Sequence, residues 1–251
     1  MIKYINLFKK KNKVKYISHN TKNLVLICDR GRPGQIYFNS LFALNLNKKK
    51  KYNIIVLSEK KVKSEYNKKL FAAFGIKNFY YLDLKKIDYI FIKSFFLTIY
   101  SLFFLRFSNF DKFVETFTLN DIYCGDLIWD TYIRHNHSFE NPKIDFKFIK
   151  ILFVSIYKNN FLKNLFSKNN IKVVLTSANN YSTLSAFSLR FGVNFKIKTF
   201  FQKFHKIIKI KKFDDIRKSP FQLSEKSINE KYETKKDIIF EKYFFDRQNA
   251  K

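Results

Sequence analysis

The chain has 251 residues, of which 46% are hydrophobic and 19% aromatic with 32 Phe, so it can build a sizeable core and is not a disordered tail. Lys and Arg number 49 against 20 Asp and Glu, a net charge of +29 that directs attention to anionic partners, either nucleic acid or a lipid surface. Two cysteines, Cys28 and Cys124, are too few for a disulfide framework or a Cys-built zinc site, which makes a cytoplasmic setting the default.

Residues 1–22 form a basic leader without the uninterrupted apolar run of a signal peptide. "NLVLIC" (Asn23–Cys28) reads as a strand buried on both faces, and "DRGRPGQ" as the turn after it. Ile36–Asn47 has the apolar spacing of a helix. A second strand (Tyr52–Ser58), an amphipathic helix closed by Gly75 (Glu59–Gly75) and a third strand (Asn78–Asp83) continue the alternation. That rhythm predicts a Rossmann-like α/β domain over 23–201 with a mainly parallel sheet.

A helical insertion is expected over about 86–170. Within it, Ile90–Phe107 is apolar enough to be a buried core helix, a bilayer span or an interfacial anchor. Phe113–Leu119 reads as a short extended piece, and Asp126–Arg134 and Asp145–Asn170 as helices. Ile171–Ser177 is a further buried strand, Ser182–Gly192 a helix and Val193–Phe201 a strand. Residues 202–251 turn polar, with an alternating stretch followed by helix-like sequence that would lead into a second domain.

Lys greatly outnumbers Arg, and Asn, Ile, Phe and Tyr are abundant, as coding in an AT-rich genome imposes. Arg is the usual reader of phosphate and bases, so its scarcity argues against nucleic acid as the partner and ranks peripheral contact with anionic membrane above it. The paired histidines of "HNH" (His135–His137) have no third ligand beside them, and no metal site is expected.

Three stretches carry candidate chemistry. In "CDRGRPGQ", Asp29, Arg30, Gly31, Arg32 and Gly34 follow the first strand and precede a helix, where an open α/β sheet presents backbone amides to anions. The same residues serve equally as an ordinary βα turn. In "GDLIWDTYIR", Gly125 opens a helix on which Asp126, Asp130 and Arg134 are spaced four apart. The two carboxylates fit acid–base chemistry, or alternatively helix capping and a Asp130–Arg134 helix pair. In "TSANNYSTLSAF", Ser177, Asn180 and Tyr181 can hydrogen-bond a sugar, while Asn180 or Ser182 can simply cap the helix. Both loops should leave the same sheet edge, forming one hollow beside Asp126.

The order "LICDRGRPGQIYFNSL…YNIIVLSEK", "YCGDLIWDTYIR" and "NNIKVVLTSANNYSTLSAFSLRFG" resembles the N-terminal portion of bacterial surface-polysaccharide (capsule or lipopolysaccharide) biosynthesis proteins with a GT-B-like glycosyltransferase architecture. A "GDLIYDTYLR"-like segment is characteristic there, with Trp129 and Ile133 replacing the usual Tyr and Leu. The resemblance implies sugar transfer from a nucleotide-sugar donor to a glycan or lipid-linked acceptor at the inner membrane face, with no separate cofactor. It assigns no secure catalytic residue. It also implies a second Rossmann-like domain, so a truncated or split enzyme, or a partner chain supplying the other half, is expected. Two rivals remain open: a membrane-associated, non-catalytic scaffold of polysaccharide assembly, and a basic nucleic-acid-binding protein.

Overall fold

The computed structural model describes residues 23–29, 33–49, 52–59, 65–84, 87–107, 110–136, 144–177, 181–203 and 206–217. Its sheet has six strands, β1 (Asn23–Asp29), β2 (Asn53–Ser58), β3 (Asn78–Tyr81), β6 (Asn170–Thr176), β7 (Lys198–Lys203) and β8 (Lys206–Ile210). They lie in the order β3-β2-β1-β6-β7-β8. All pairings are parallel except the β7–β8 hairpin. The expected Rossmann-like α/β class is therefore what the chain adopts.

Strand periodicity sorts the core onto two faces, because successive side chains in a strand point opposite ways. Ile27, Ile54, Val56, Val173 and Leu175 face α1 (Pro33–Lys49) and α2 (Glu65–Ala73) and pack with Ile36, Phe71 and Phe74. Leu26, Ile55, Leu57 and Val174 belong to the other layer, with Phe148, Leu152, Ile156, Phe187 and Phe191. This two-sided burial explains why the central strands read as continuous apolar runs. The edge strand β8, with Lys206 and Lys209 exposed, is of the charged kind that discourages further pairing.

The region expected as an insertion is the crossover that covers this second face. It comprises α3 (Tyr89–Phe107), α4 (Phe110–Thr116), a small hairpin of β4 (Thr118–Leu119) and β5 (Ile122–Tyr123), α5 (Gly125–Asn136) and α6 (Phe146–Lys168). Phe113–Leu119 is thus mostly helical, not extended. Phe113 has to reach the core from the same helix face as Phe110, and it packs on Phe117 and Phe148. The hairpin turns on Asn120 and Asp121, both at positive φ (52° and 63°), a conformation these residue types tolerate. Asn120 Nδ2 donates to Asn159 and Asn160 Oδ1, and Asn159 Nδ2 donates to the Leu119 carbonyl, so two buried amides of α6 fasten the hairpin.

After β6, α7 (Leu184–Asn194) includes Val193 and Asn194, which had read as the start of the last parallel strand. The sheet continues past residue 201, since β7 ends at Lys203 and β8 at Ile210. The compact unit runs to Phe213, and residues Asp214–Lys251 form a separate one, of which only the end of α8 (Phe213–Arg217) is described.

Candidate functional site

The order of the strands reverses at β1. From it the chain steps outward to β2 and β3, then returns to lay β6 on its other side. In open α/β sheets the crevice outside such a reversal, at the carboxyl ends of the strands, is where ligands bind. Ile27 of β1 pairs with Leu175 of β6, so the chain exits after Asp29 and after Ser177 are neighbours on one rim. The expectation that both loops share an edge is met. Gly34 lies in the first turn of α1 with open space where a side chain would sit. Arg30, Gly31, Arg32, Asn180 and His137 lie outside the described residues, as does the side chain of Asp29.

Behind the β6 exit lies a polar cluster that the sequence motifs did not single out. The Lys158 ammonium, buried on α6, donates to the Ser182 carbonyl at 2.6 Å and pairs with Glu59 at 3.2 Å. Glu59, immediately after β2, accepts from the Leu184 amide at 2.6 Å and so occupies the amino end of α7. A carboxylate there complements the positive end of the helix dipole. Ser155 and Ser182 share a short hydrogen bond through their hydroxyls, and the Ser182 amide donates to Thr131 Oγ1 at 2.6 Å. The cap of α7 is Thr183, whose Oγ1 accepts from the Ala186 amide, and neither Asn180 nor Ser182 fills that place. The sequence gives little sign of this arrangement, since Lys158 is one of five lysines in α6, with Lys147, Lys150, Lys163 and Lys168.

Tyr181 stands at the front of the cluster with φ 59°, a backbone conformation unfavourable for a bulky residue and typical of sites where surroundings override local preference. The Arg134 guanidinium lies over its ring at 4.6 Å. Ser177 Oγ and Thr176 Oγ1 are buried without a hydrogen-bond partner among the described residues, while the Ser177 amide donates to Ser185 Oγ at 3.2 Å. Among the described residues the rim therefore offers the exposed Arg134 guanidinium, an aromatic hydroxyl and two buried hydroxyls with spare capacity.

Asp126 lies elsewhere. Arg190 of α7 grips its carboxylate with both terminal nitrogens, at 2.7 and 2.6 Å, and also donates to the Tyr123 carbonyl at 2.6 Å. The same guanidinium lies 5.5 Å from the Tyr123 ring centre and 5.2 Å from that of Phe213. Five residues of helix, about 7.5 Å of rise, separate Asp126 from Thr131, where α5 meets the loop. The α5 residues that meet the chain after β6 are thus Thr131 and Arg134, and not Asp126. A bidentate pair of this kind, with the guanidinium buried and the carboxylate partly exposed, fixes geometry and commits both carboxylate oxygens to Arg190.

Asp130 lies one turn from Asp126 and one turn from Arg134 on the same helix face. Its pKa is raised, chiefly by desolvation in its crowded setting and further by the Asp126 charge, with Arg190 acting the other way. Gly125 is pressed against backbone. A Cβ there would collide with the Phe113 carbonyl oxygen and come within 2.8 Å of that of Val114. Cys124 is fully buried, and burial drives its thiol pKa far upward, so it is inert packing.

No family model, curated protein or solved structure matches this chain. The site therefore has to be judged on its chemistry. Among the described residues no three His, Cys, Asp or Glu side chains gather where they could hold a metal ion. A cleft of about 430 Å³ between α1 and strands β6–β8, lined by Phe42, Leu46, Tyr52, Phe200, Lys198 and Lys209, shares no residue with the strand-exit cluster. It is half open and mainly apolar, whereas the strand exits carry the convergent polar groups that orient a ligand.

Proposed function

We propose that this protein is a glycosyltransferase-like component of bacterial surface-polysaccharide (capsule or lipopolysaccharide) synthesis, working peripherally at the inner face of the plasma membrane. The observation that carries the reading is the pair of loops leaving β1 and β6 side by side at the reversal of strand order, with Ser177 and Tyr181 following β6 and Arg134 of α5 laid over the Tyr181 ring. Hydroxyls and a stacked tyrosine suit a sugar, and an exposed guanidinium suits a phosphate oxygen. The sequence resemblance points to the same class, with a nucleotide sugar as donor and a glycan or lipid-linked glycan as acceptor.

In this reading Asp126 and Gly125 shape α5, and Asp130, the carboxylate of the motif not held by Arg190, takes the proton of an acceptor hydroxyl. A raised pKa makes a carboxylate a stronger base when ionised, in keeping with that role. The test is ligand binding followed by saturation-transfer NMR against nucleotide sugars and oligosaccharides. The full chain should bind a member of that panel, and Arg134→Gln and Tyr181→Ala should each weaken it about tenfold, the loss of one charge-assisted or stacking contact. Absence of binding to every sugar and nucleotide sugar, or unchanged affinity in both variants, would refute the reading.

A further inference from the structure

Helix α3 is built inside out. Its inward side presents Ser94, Thr98 and Ser101, all buried, together with Leu105. Each hydroxyl bonds back to the carbonyl four residues earlier, at 2.6, 2.7 and 2.8 Å, so it can be buried without an outside partner. Asn160 of α6 then donates to Ser94 Oγ at 3.0 Å. Phe91 packs edge-on against Phe153 of the same helix. Small residues and hydroxyls thus mediate the contact with α6.

The outward side carries the large apolar residues. Ile92, Phe95, Phe96, Ile99, Tyr100, Phe103 and Phe104 are 49–69% exposed. At 3.6 residues per turn they fall on about half of the helix circumference as one continuous stripe. Tyr89 on the same helix and Leu84 and Ile87 just before it are exposed as well, so among the described residues ten of the sixteen exposed large hydrophobic side chains lie between residues 84 and 104. With aromatic side chains of roughly 150–250 Å² each, half exposed, the stripe alone amounts to about 700 Å². That exceeds the largest apolar patch of an ordinary soluble monomer, and such patches mark interaction surfaces.

We propose that this stripe is the surface by which the protein lies on an anionic lipid bilayer. Among the described residues no helix is long and apolar enough to cross a membrane, and α3 is fastened to α6 through Asn160. Large apolar residues outward with small and hydroxyl residues inward is the distribution a helix adopts when its outer solvent is lipid. Charge selects this occupant over a second copy of the chain. A molecule of net charge +29 is attracted to acidic headgroups and repelled by its own kind. Lys93 lies at the border of the stripe, only partly exposed, and its long stem lets the ammonium reach the headgroups while its neighbours enter the acyl boundary. The inference stands apart from the sugar-transfer reading, since it concerns a different surface and its test uses no sugar.

The test is flotation of the full chain with vesicles of equal parts phosphatidylglycerol and phosphatidylcholine, compared with phosphatidylcholine alone. The variant carries Phe96→Gln, Tyr100→Gln and Phe103→Gln together, three side chains that are mostly exposed and whose loss leaves the core intact. The wild-type chain should float with the acidic vesicles and less with the neutral ones, and the variant should lose about tenfold or more in partitioning. Its melting temperature should not change. Failure of the wild type to float, or equal flotation by the variant, which would reduce binding to charge alone, overturns the proposal. So does a wild-type dimer that the variant converts to monomer without any vesicle binding, or a clear drop in the variant's melting temperature, which would mean that another part of the chain covers the stripe.

Discussion

Replacing Asp126 by Asn separates a structural role from a chemical one. Arg190 has a side chain only 4% exposed and receives its charge compensation from Asp126, which is 30% exposed. The substitution keeps one acceptor oxygen but removes the charge, leaving a buried guanidinium with the Tyr123 carbonyl and two aromatic faces. Removing one member of a buried ion pair costs about 3–5 kcal/mol. The partial exposure of Asp126 lets water relieve some of this, so about 3 kcal/mol is expected. For a domain of this size that is a fall in melting temperature of about 6–12 °C. Arg190→Met should cost less, about 2 kcal/mol, because the orphaned carboxylate can hydrate. The double variant should be less unstable than the sum of the two by about 2 kcal/mol, the signature of direct coupling. Urea unfolding of the four proteins measures all of these. If Asp126→Asn melts within about 2 °C of the wild type while sugar transfer is abolished, the clamp is not the reason for this residue and the argument fails.

Gly125→Ala should destabilise by about 3 kcal/mol or more, since the new methyl meets two backbone carbonyls that cannot move aside, and circular-dichroism melting would reveal it. Asp130→Asn should raise stability slightly at neutral pH. The folded state holds the Asp130 proton more tightly than the unfolded chain, so ionisation penalises the fold above its raised pKa. The advantage of Asn should therefore vanish as pH falls below about 4, where the carboxyl is protonated in both states, and melting curves across that range check the sign. Cys124 should resist maleimide in the native protein and react only on unfolding, as peptide mapping of the labelled chain would show.

The parallel sheet was legible in the sequence because its strands are buried on both sides. "NLVLIC", "NIIVLS" and "IKVVLT" keep their polar residues at or near the ends, so each reads as one apolar run. The rim shared by the β1 and β6 loops followed from topology alone, since parallel strands send their exits to one edge. What the sequence could not supply was the partner of each motif residue. Asp126 and Arg134 are eight apart on one helix, yet one is claimed by Arg190 and the other by Tyr181, residues more than forty positions downstream. Glu59 and Lys158 meet only because β2 and α6 converge on the start of α7. Composition identified Ile90–Phe107 as apolar and stopped there. Which half of that helix is buried was decided by Asn160 and the packing of α6, because a helix with hydroxyls on one side and aromatics on the other can be turned either way until a neighbour satisfies one face.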